Sequence, residues 1–148
     1  MMFVDHVLDV ARTRLVTIPE SALLREAAQL LNDRHINLVV ACNAEGAMVG
    51  VVSKTDLVRR IGHCLGGACT AAVATVMTRD VVYCRPAELL QNVWSLMKER
   101  NVLHVPVVDL DDRPVGILNA RDALQALMSE VEQEESLLRD YVLGIGYR

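Results

Sequence analysis

Two segments carry the side chains whose types and spacing could do chemistry: Gly50-Val51-Val52-Ser53-Lys54-Thr55-Asp56 and Gly116-Ile117-Leu118-Asn119-Ala120-Arg121-Asp122. Each runs glycine, two apolar residues, a small polar residue, two variable residues and an aspartate, and the copies lie 66 residues apart. Where an apolar strand feeds a helix that starts at the small polar residue, unpaired backbone N–H groups and the helix dipole favour an anion. A phosphate beside Ser53 would meet those donors and the hydroxyls of Ser53 and Thr55. Asp56, at the third helical position, offers two carboxylate oxygens that suit the adjacent 2′ and 3′ hydroxyls of a ribose. The second copy has an amide at Asn119 in place of the hydroxyl, a cation at Arg121 and the carboxylate at Asp122. A plainer reading stands beside this one. Ser53 and Asn119 cap their helices, Asp56 and Asp122 lie near the positive ends, and Arg121 is a solvated side chain paired with Asp122 or Glu88.

The elements that must position these residues also come twice. Leu15 to Pro19 reads as a short strand closed by proline, followed by a helix entry capped by Ser21 and an amphipathic helix to about Arg34, with Leu23, Ala27, Leu30 and Leu31 on its apolar face. Ile36 to Cys42 and Met48 to Val52 read as strands about the turn Asn43-Ala44-Glu45-Gly46, and a helix starts at Ser53. The second half repeats this order. Val81 to Cys84 is the short strand, Leu89 to Arg100 the helix with Leu89, Val93, Leu96 and Met97 on one face, Val102 to Val108 and Val115 to Leu118 the strands, and Asn119 to about Glu135 the closing helix. A duplicated unit of this kind implies a shared interface or a paired pocket. The expected division is a lead at 1–14, a first repeat at 15–65, a linker at 66–79, a second repeat at 80–128 and an acidic helical tail at 129–148.

Composition narrows the function classes. A chain of 148 residues is long enough for one domain with a sizeable core. Its residues are 52% hydrophobic but only 3% aromatic, so the interior is expected to be aliphatic. A mean hydropathy of +0.26 argues against a disordered chain. The net charge of −4 and the scarcity of aromatics argue against a nucleic-acid reader. Asp5 stands in the N-terminal stretch where a secretory signal would carry basic residues, and Leu65 to Met77 is too short and too rich in small residues to span a bilayer. A cytoplasmic protein without membrane or nucleic-acid partners is expected, with Cys42, Cys64, Cys69 and Cys84 as free thiols. His63-Cys64 with Cys69 matches no tetrahedral metal signature, so no metal site is expected. Gly62 to Gly67 lacks the Lys-Ser/Thr of a phosphate loop. Trp94 fits a core or a dimer interface.

With the motifs in place, both halves resemble cystathionine-β-synthase-type (CBS) domains, and the pair resembles a stand-alone Bateman module. The segments that carry the likeness are Val16-Thr17-Ile18-Pro19, Gly50 to Leu57, Val76-Met77-Thr78-Arg79-Asp80-Val81-Val82, His104-Val105-Pro106-Val107-Val108-Asp109 and Gly116 to Asp122. The resemblance implies an α+β fold of two β-α-β-β-α repeats packed sheet to sheet about a pseudo-two-fold axis, with two clefts between them. It also implies an adenosine-containing effector such as AMP, ADP, ATP or S-adenosylmethionine, no required cofactor, and association as a homodimer. The base would be walled by Val16, Thr17, Ile18, Asn37 and Leu38 in one pocket, and by Val81, Val82, His104 and Pro106 in the other.

Three functions compete on these terms. The first is a regulatory sensor that passes nucleotide occupancy to an unidentified regulated protein, or through its dimer geometry. The second is an assembly module without a small ligand, in which the motif residues only cap. The third is a nucleotide hydrolase using Asp56 and Asp122, disfavoured because no base or nucleophile accompanies them. No catalysis is expected.

Overall fold

The computed structural model describes residues 1–62 and 71–142. A single 3₁₀ turn (Val4–Val7) leads into α1 (Leu8–Thr13). The first repeat follows as β1 (Thr17–Pro19), α2 (Leu24–Asp33), β2 (Leu38–Cys42), β3 (Met48–Ser53) and α3 (Lys54–Gly62). A short α4 (Val73–Val76) precedes the second repeat, built from α5 (Leu90–Arg100), β4 (His104–Val108), β5 (Pro114–Asn119) and a long α6 (Ala120–Val142). The architecture is α+β, with two β-α-β-β-α-like repeats.

The spacing of 66 governs the backbone as well as the motif. β2 pairs antiparallel with β3, and β4 with β5, each with a register shift, at Ala41/Cys42 and at Val107/Val108. The two hairpin turns are built alike: Asn43 Oδ1 accepts the N–H groups of Glu45 and Ala47, and Asp109 Oδ1 those of Asp111 and Arg113. The left-handed residues also come in pairs at this spacing, His35 with Asn101 and Gly46 with Asp112. A short polar side chain that bonds its own backbone makes such turns accessible to Asn and Asp.

Alternation along the strands divides the core. Val39, Ala41 and Val52 face the first repeat's own helices, while their neighbours Val40 and Val51 meet Ile117 of the other repeat in a shared layer. Val105, Val107 and Leu118 do the same for the second repeat's core. Apolar strands with both faces covered are what this burial requires.

Three local expectations change. Helix α2 starts at Leu24, so Ser21 lies in the preceding turn, and the Leu23 N–H is taken by the Glu26 carboxylate at 2.9 Å. The buried faces of α2 and α5 accordingly use Leu24 and Leu90 in place of Leu23 and Leu89. Of the expected strand at Val81 to Cys84, only Cys84 pairs, parallel to Val107. In the first repeat the Val16 carbonyl receives the Val40 N–H at 2.9 Å. Pro106 stands 66 residues after Val40 and has no N–H to give to Val82, which shortens the ladder.

The segments read as lead and linker are working parts of the two cores, and they are exchanged. The N-terminal segment packs on the second repeat: Val4 and Asp5 donate to the carbonyls of Glu88 and Pro86, and Leu90 donates to Met2. The segment before the second repeat packs on the first by the same bonds: Val73 and Ala74 donate to Ala22 and Glu20, and Leu24 to Ala71. Each segment then passes against a motif glycine. A Cβ on Gly50 would lie 2.8 Å from the Thr78 carbonyl oxygen and from the Met77 sulfur, and one on Gly116 would lie 2.9 Å from the Ala11 Cβ.

Gly116→Ala is therefore expected to push α1 off β5 and cost about 1–3 kcal/mol of stability. Urea unfolding followed by Trp94 fluorescence measures it, and a midpoint equal to that of the native chain would contradict this packing.

Candidate functional site

The Ser53 to Asp56 segment sits where β3 turns into α3, and each of these two residues satisfies the other. Ser53 N–H donates to Asp56 Oδ2 at 2.9 Å, and Asp56 N–H donates to Ser53 Oγ at 3.2 Å. This reciprocal arrangement is a capping box. Asp56 is 7% exposed, the one charged side chain among the buried described residues. Its carboxylate also accepts the Thr78 hydroxyl, 3.2 Å from Oδ1 and 3.3 Å from Oδ2, while Arg59 lies at 3.8 Å on the exposed rim. Capping and ribose binding are compatible here. A carboxylate offers about four acceptor sites, and the Ser53 hydroxyl keeps its own proton to donate.

The second copy is wired differently. Asn119 Oδ1 accepts the Arg121 N–H at 2.8 Å, which leaves the amide N–H₂ group as a donor. Asp122 is taken by a residue of the exchanged N-terminal segment: Arg14 Nε lies 2.6 Å from Oδ2 and Nη2 lies 3.2 Å from Oδ1. The expected partner of Asp122, Arg121, is exposed on the start of α6. A two-pronged guanidinium contact is among the stronger ion-pair geometries, although the Arg14 side chain is 42% exposed.

These segments open onto two clefts between the repeats. The first, of about 170 Å³, joins Val51, Ser53, Asp56, Thr78 and Asp80 to Val81, Val82, Val102, His104 and Pro106, with Leu38 at its edge. The second, of about 80 Å³, joins Arg14, His35, Ile36, Asn37 and Leu38 to His104, Ile117 and Asn119. The first cleft thus combines the carboxylate end of the first repeat with the strand entrance of the second, while the second joins Asn119 to the strand entrance of the first repeat, and Asp122, bonded to Arg14, does not line it. Both are smaller than the roughly 300–1,000 Å³ of typical ligand pockets. Larger surface grooves lie elsewhere, about 480 Å³ beside Trp94 and about 560 Å³ beside α2, and neither contains a residue of the two Gly-to-Asp segments.

The expected site residues separate accordingly. Val81, Val82, His104 and Pro106 meet Ser53 and Asp56, while Asn37 and Leu38 meet Asn119. Thr55 and Arg121 are exposed and line neither cleft. Thr17 and Ile18 border the groove beside α2, with Ile18 in the first repeat's core, and Val16 packs against that core with its carbonyl in the β1–β2 ladder. The parallel pairing of β1 with β2 turns these residues away from the clefts. Arg14, Thr78 and Asp80 were not anticipated. The signal for two of them was present, since Arg14 and Asp80 occupy the same place in the two repeats, 66 residues apart. His63, Cys64 and Cys69 lie outside the described residues.

Burial, helped by Glu88, pushes the Cys84 thiol up to about 12, and burial also raises Cys42, so both are inert thiols. His104 lines both clefts, with its Nε2 3.5 Å from the Asn37 amide. Its imidazole is held below the usual value of 6.5, first by burial and then by the charge of Arg14.

With this geometry in view, the comparisons place the chain. It matches the CBS domain family over residues 7–63 and 73–129 and belongs to that family as a tandem pair. It is similar to the CBS domain pair of protein MJ0100 in complex with 5′-methylthioadenosine and S-adenosyl-L-methionine, at 26% identity and a TM-score of 0.70, covering 84% of this chain and 96% of that one. It is also similar to the cytosolic domain of the Mg²⁺ channel MgtE in complex with ATP, at 26% identity and a TM-score of 0.65, over 76% of this chain and 45% of that one. Among curated relatives, homoserine O-acetyltransferase of Methanococcoides burtonii is 28% identical over 123 residues, which are 81% of this chain and 24% of that protein. The chain spans about a quarter of the length of such relatives. Among the described residues, no helix is long and apolar enough to cross a membrane.

Two measurements follow from this wiring. Because the folded His104 pKa lies below 6.5, the unfolded chain binds more protons as pH falls through that region. The stability contributed by neutral His104 is complete above pH 6.5 and is lost as pH falls through the folded value. Imidazole NMR should find His104 titrating below 6.5 in the free protein, with a small upward move in Arg14→Met; titration at or above 6.5 contradicts the account. Asp56→Ala removes one half of the capping box and the acceptor for Thr78, and should cost about 1–3 kcal/mol in urea unfolding.

Proposed function

We propose that this CBS pair is a regulatory module that binds an adenosine-containing ligand in the clefts between its repeats and performs no catalysis on it. The observation that carries this reading is the meeting of Ser53 and Asp56 with Val81, Val82, His104 and Pro106 in one cleft. The ribose hydroxyls donate to the buried Asp56 carboxylate beside the Thr78 hydroxyl. The adenine ring packs between the aliphatic walls of Val81, Val82 and Pro106. Its amino group donates to the Val82 carbonyl, to which Pro106 has no N–H to offer. Relatives at 26% identity hold 5′-methylthioadenosine with S-adenosyl-L-methionine in one case and ATP in another, which supports an adenosyl ligand in the AMP, ADP, ATP class or its sulfonium counterparts.

Occupancy acts only as far as the ligand's affinity differs between arrangements of the module. The readout is a homodimer or an unidentified regulated protein. The extended α6 is the element that reaches outward, with Leu137, Leu138 and Tyr141 exposed near its end.

Titration calorimetry of the full chain with AMP, ATP and S-adenosylmethionine tests the reading. At least one should bind, Asp56→Ala should weaken it at least about tenfold, and the ligand should be recovered chemically unchanged. No binding by any of the three at millimolar concentration overturns the proposal. Unchanged affinity in both Asp56→Ala and Asp122→Ala overturns the ribose assignment.

A further inference from the structure

The two clefts differ in sign at one structurally equivalent place. Arg14 and Asp80 stand 66 residues apart, each just before the first strand position of its repeat, and each lines the cleft it borders. The first cleft therefore carries two carboxylates, Asp56 and Asp80, against a single exposed cation, Arg59, outside its lining. The second cleft is lined by Arg14, whose guanidinium bonds Asp122 just outside the lining, and its other polar lining groups, His35, Asn37, His104 and Asn119, include no acid. From this charge exchange we infer that the clefts take different classes of adenosyl ligand: the first a ligand whose 5′ substituent is neutral or cationic, the second a ligand with a 5′ phosphate.

The physical argument is one of exchange. A ribose that approaches Asp122 competes with Arg14 for the carboxylate, and a guanidinium drawn away from it loses those hydrogen bonds. A 5′ phosphate in the same cleft receives it, because guanidinium forks match phosphate as well as carboxylate. A neutral nucleoside has nothing to offer in return. In the first cleft, Asp56 is held by the neutral Thr78 hydroxyl and by the Ser53 N–H, so ribose exchange leaves no orphaned charge. There a phosphate would approach the Asp80 carboxylate, and like charges at short range are repulsive. A neutral or positively charged substituent meets Asp80 favourably.

The inference rests on the adenosine-ligand reading and is tested apart from it by site-resolved NMR titration of the full chain with adenosine and with AMP. The backbone amides of Ser53, Thr78 and Val82 report the first cleft, and the side-chain amides of Asn37 and Asn119 report the second. At the second cleft AMP should bind at least about tenfold more tightly than adenosine; at the first, adenosine should bind at least as well as AMP. Arg14→Met should abolish the preference of the second cleft, and Arg14→Lys should retain most of it. Asp80→Asn should move the first cleft toward AMP. Circular dichroism melting confirms that each variant is folded, and the Lys and Asn variants keep the test open if Arg14→Met does not fold. Equal adenosine-to-AMP ratios at the two clefts, ratios unaltered by these variants, or a second cleft that binds neither ligand while the first binds, overturn the inference and leave ligand binding standing. No response from either cleft to either ligand overturns the underlying reading, and this inference with it.

Discussion

The structure depends on the exchange of two short segments under two glycines. Each repeat lacks one flank of its own core, and the missing flank comes from the chain that precedes the other repeat. The second repeat's core includes Val4, Leu8 and Ala11 from the N-terminus, and the first repeat's core includes Val73 and Met77 from the connection. Neither half can close its core without the other's leader, so the pair forms one cooperative unit. The glycines enforce this, because Gly50 and Gly116 let α4's exit and α1 lie against β3 and β5 at distances that a Cβ would forbid.

That exchange also produces the clefts. A leader that crosses from one repeat to the other must pass the helix start of the motif before it enters its own repeat, and it brings a polar side chain to the motif aspartate, from a different position in each leader. Thr78 reaches Asp56 in this way, and Arg14 reaches Asp122. Asp56 thus serves three ends at once, helix capping, anchoring of the leader and presentation of carboxylate oxygens to a cleft, while Asp122 anchors its leader through Arg14. Capping and anchoring account for burial of a charge that would otherwise be costly.

Much of this was legible in the residue order, for a definite reason. The spacing of 66 is a property of backbone geometry: it sets the matching Asx-bonded turns at Asn43 and Asp109, the paired left-handed residues, and the bulges at the ends of both hairpins. Turn chemistry and strand periodicity are local, so the order of elements could be anticipated from the residues, and the sheet-to-sheet packing from the family resemblance. The exchange of leaders was not, because nothing local tells a short helix which of two similar cores it will cover. The position of Thr17 and Ile18 outside the two clefts has the same origin. Alternation places Ile18 on a buried face without saying whether that face meets the helices or the opposite repeat, and the parallel ladder to β2 decides for the helices. The loss of the strand at Val81 to Cys84 was readable, by contrast, in one residue: Pro106, in the register of Val40, lacks the donor.

The energetic difference between the clefts is small enough for ligands to act on. The Arg14–Asp122 pair is 42% and 14% exposed at its two side chains, and a pair so wetted contributes about 1 kcal/mol or less. The Ser53–Asp56 box is worth about 0.5–2 kcal/mol, and it survives ribose binding because the carboxylate retains free acceptor sites. Contacts of this size hold the free protein in one arrangement without locking it there. His104 and Leu38 belong to the walls of both clefts, so a ligand that repositions either in one cleft alters the other by the same free energy in return. A duplicated unit with a shared wall and opposite charges at Arg14 and Asp80 has the physical means to couple its two clefts, and the exchanged leaders join each cleft to the core of the other repeat.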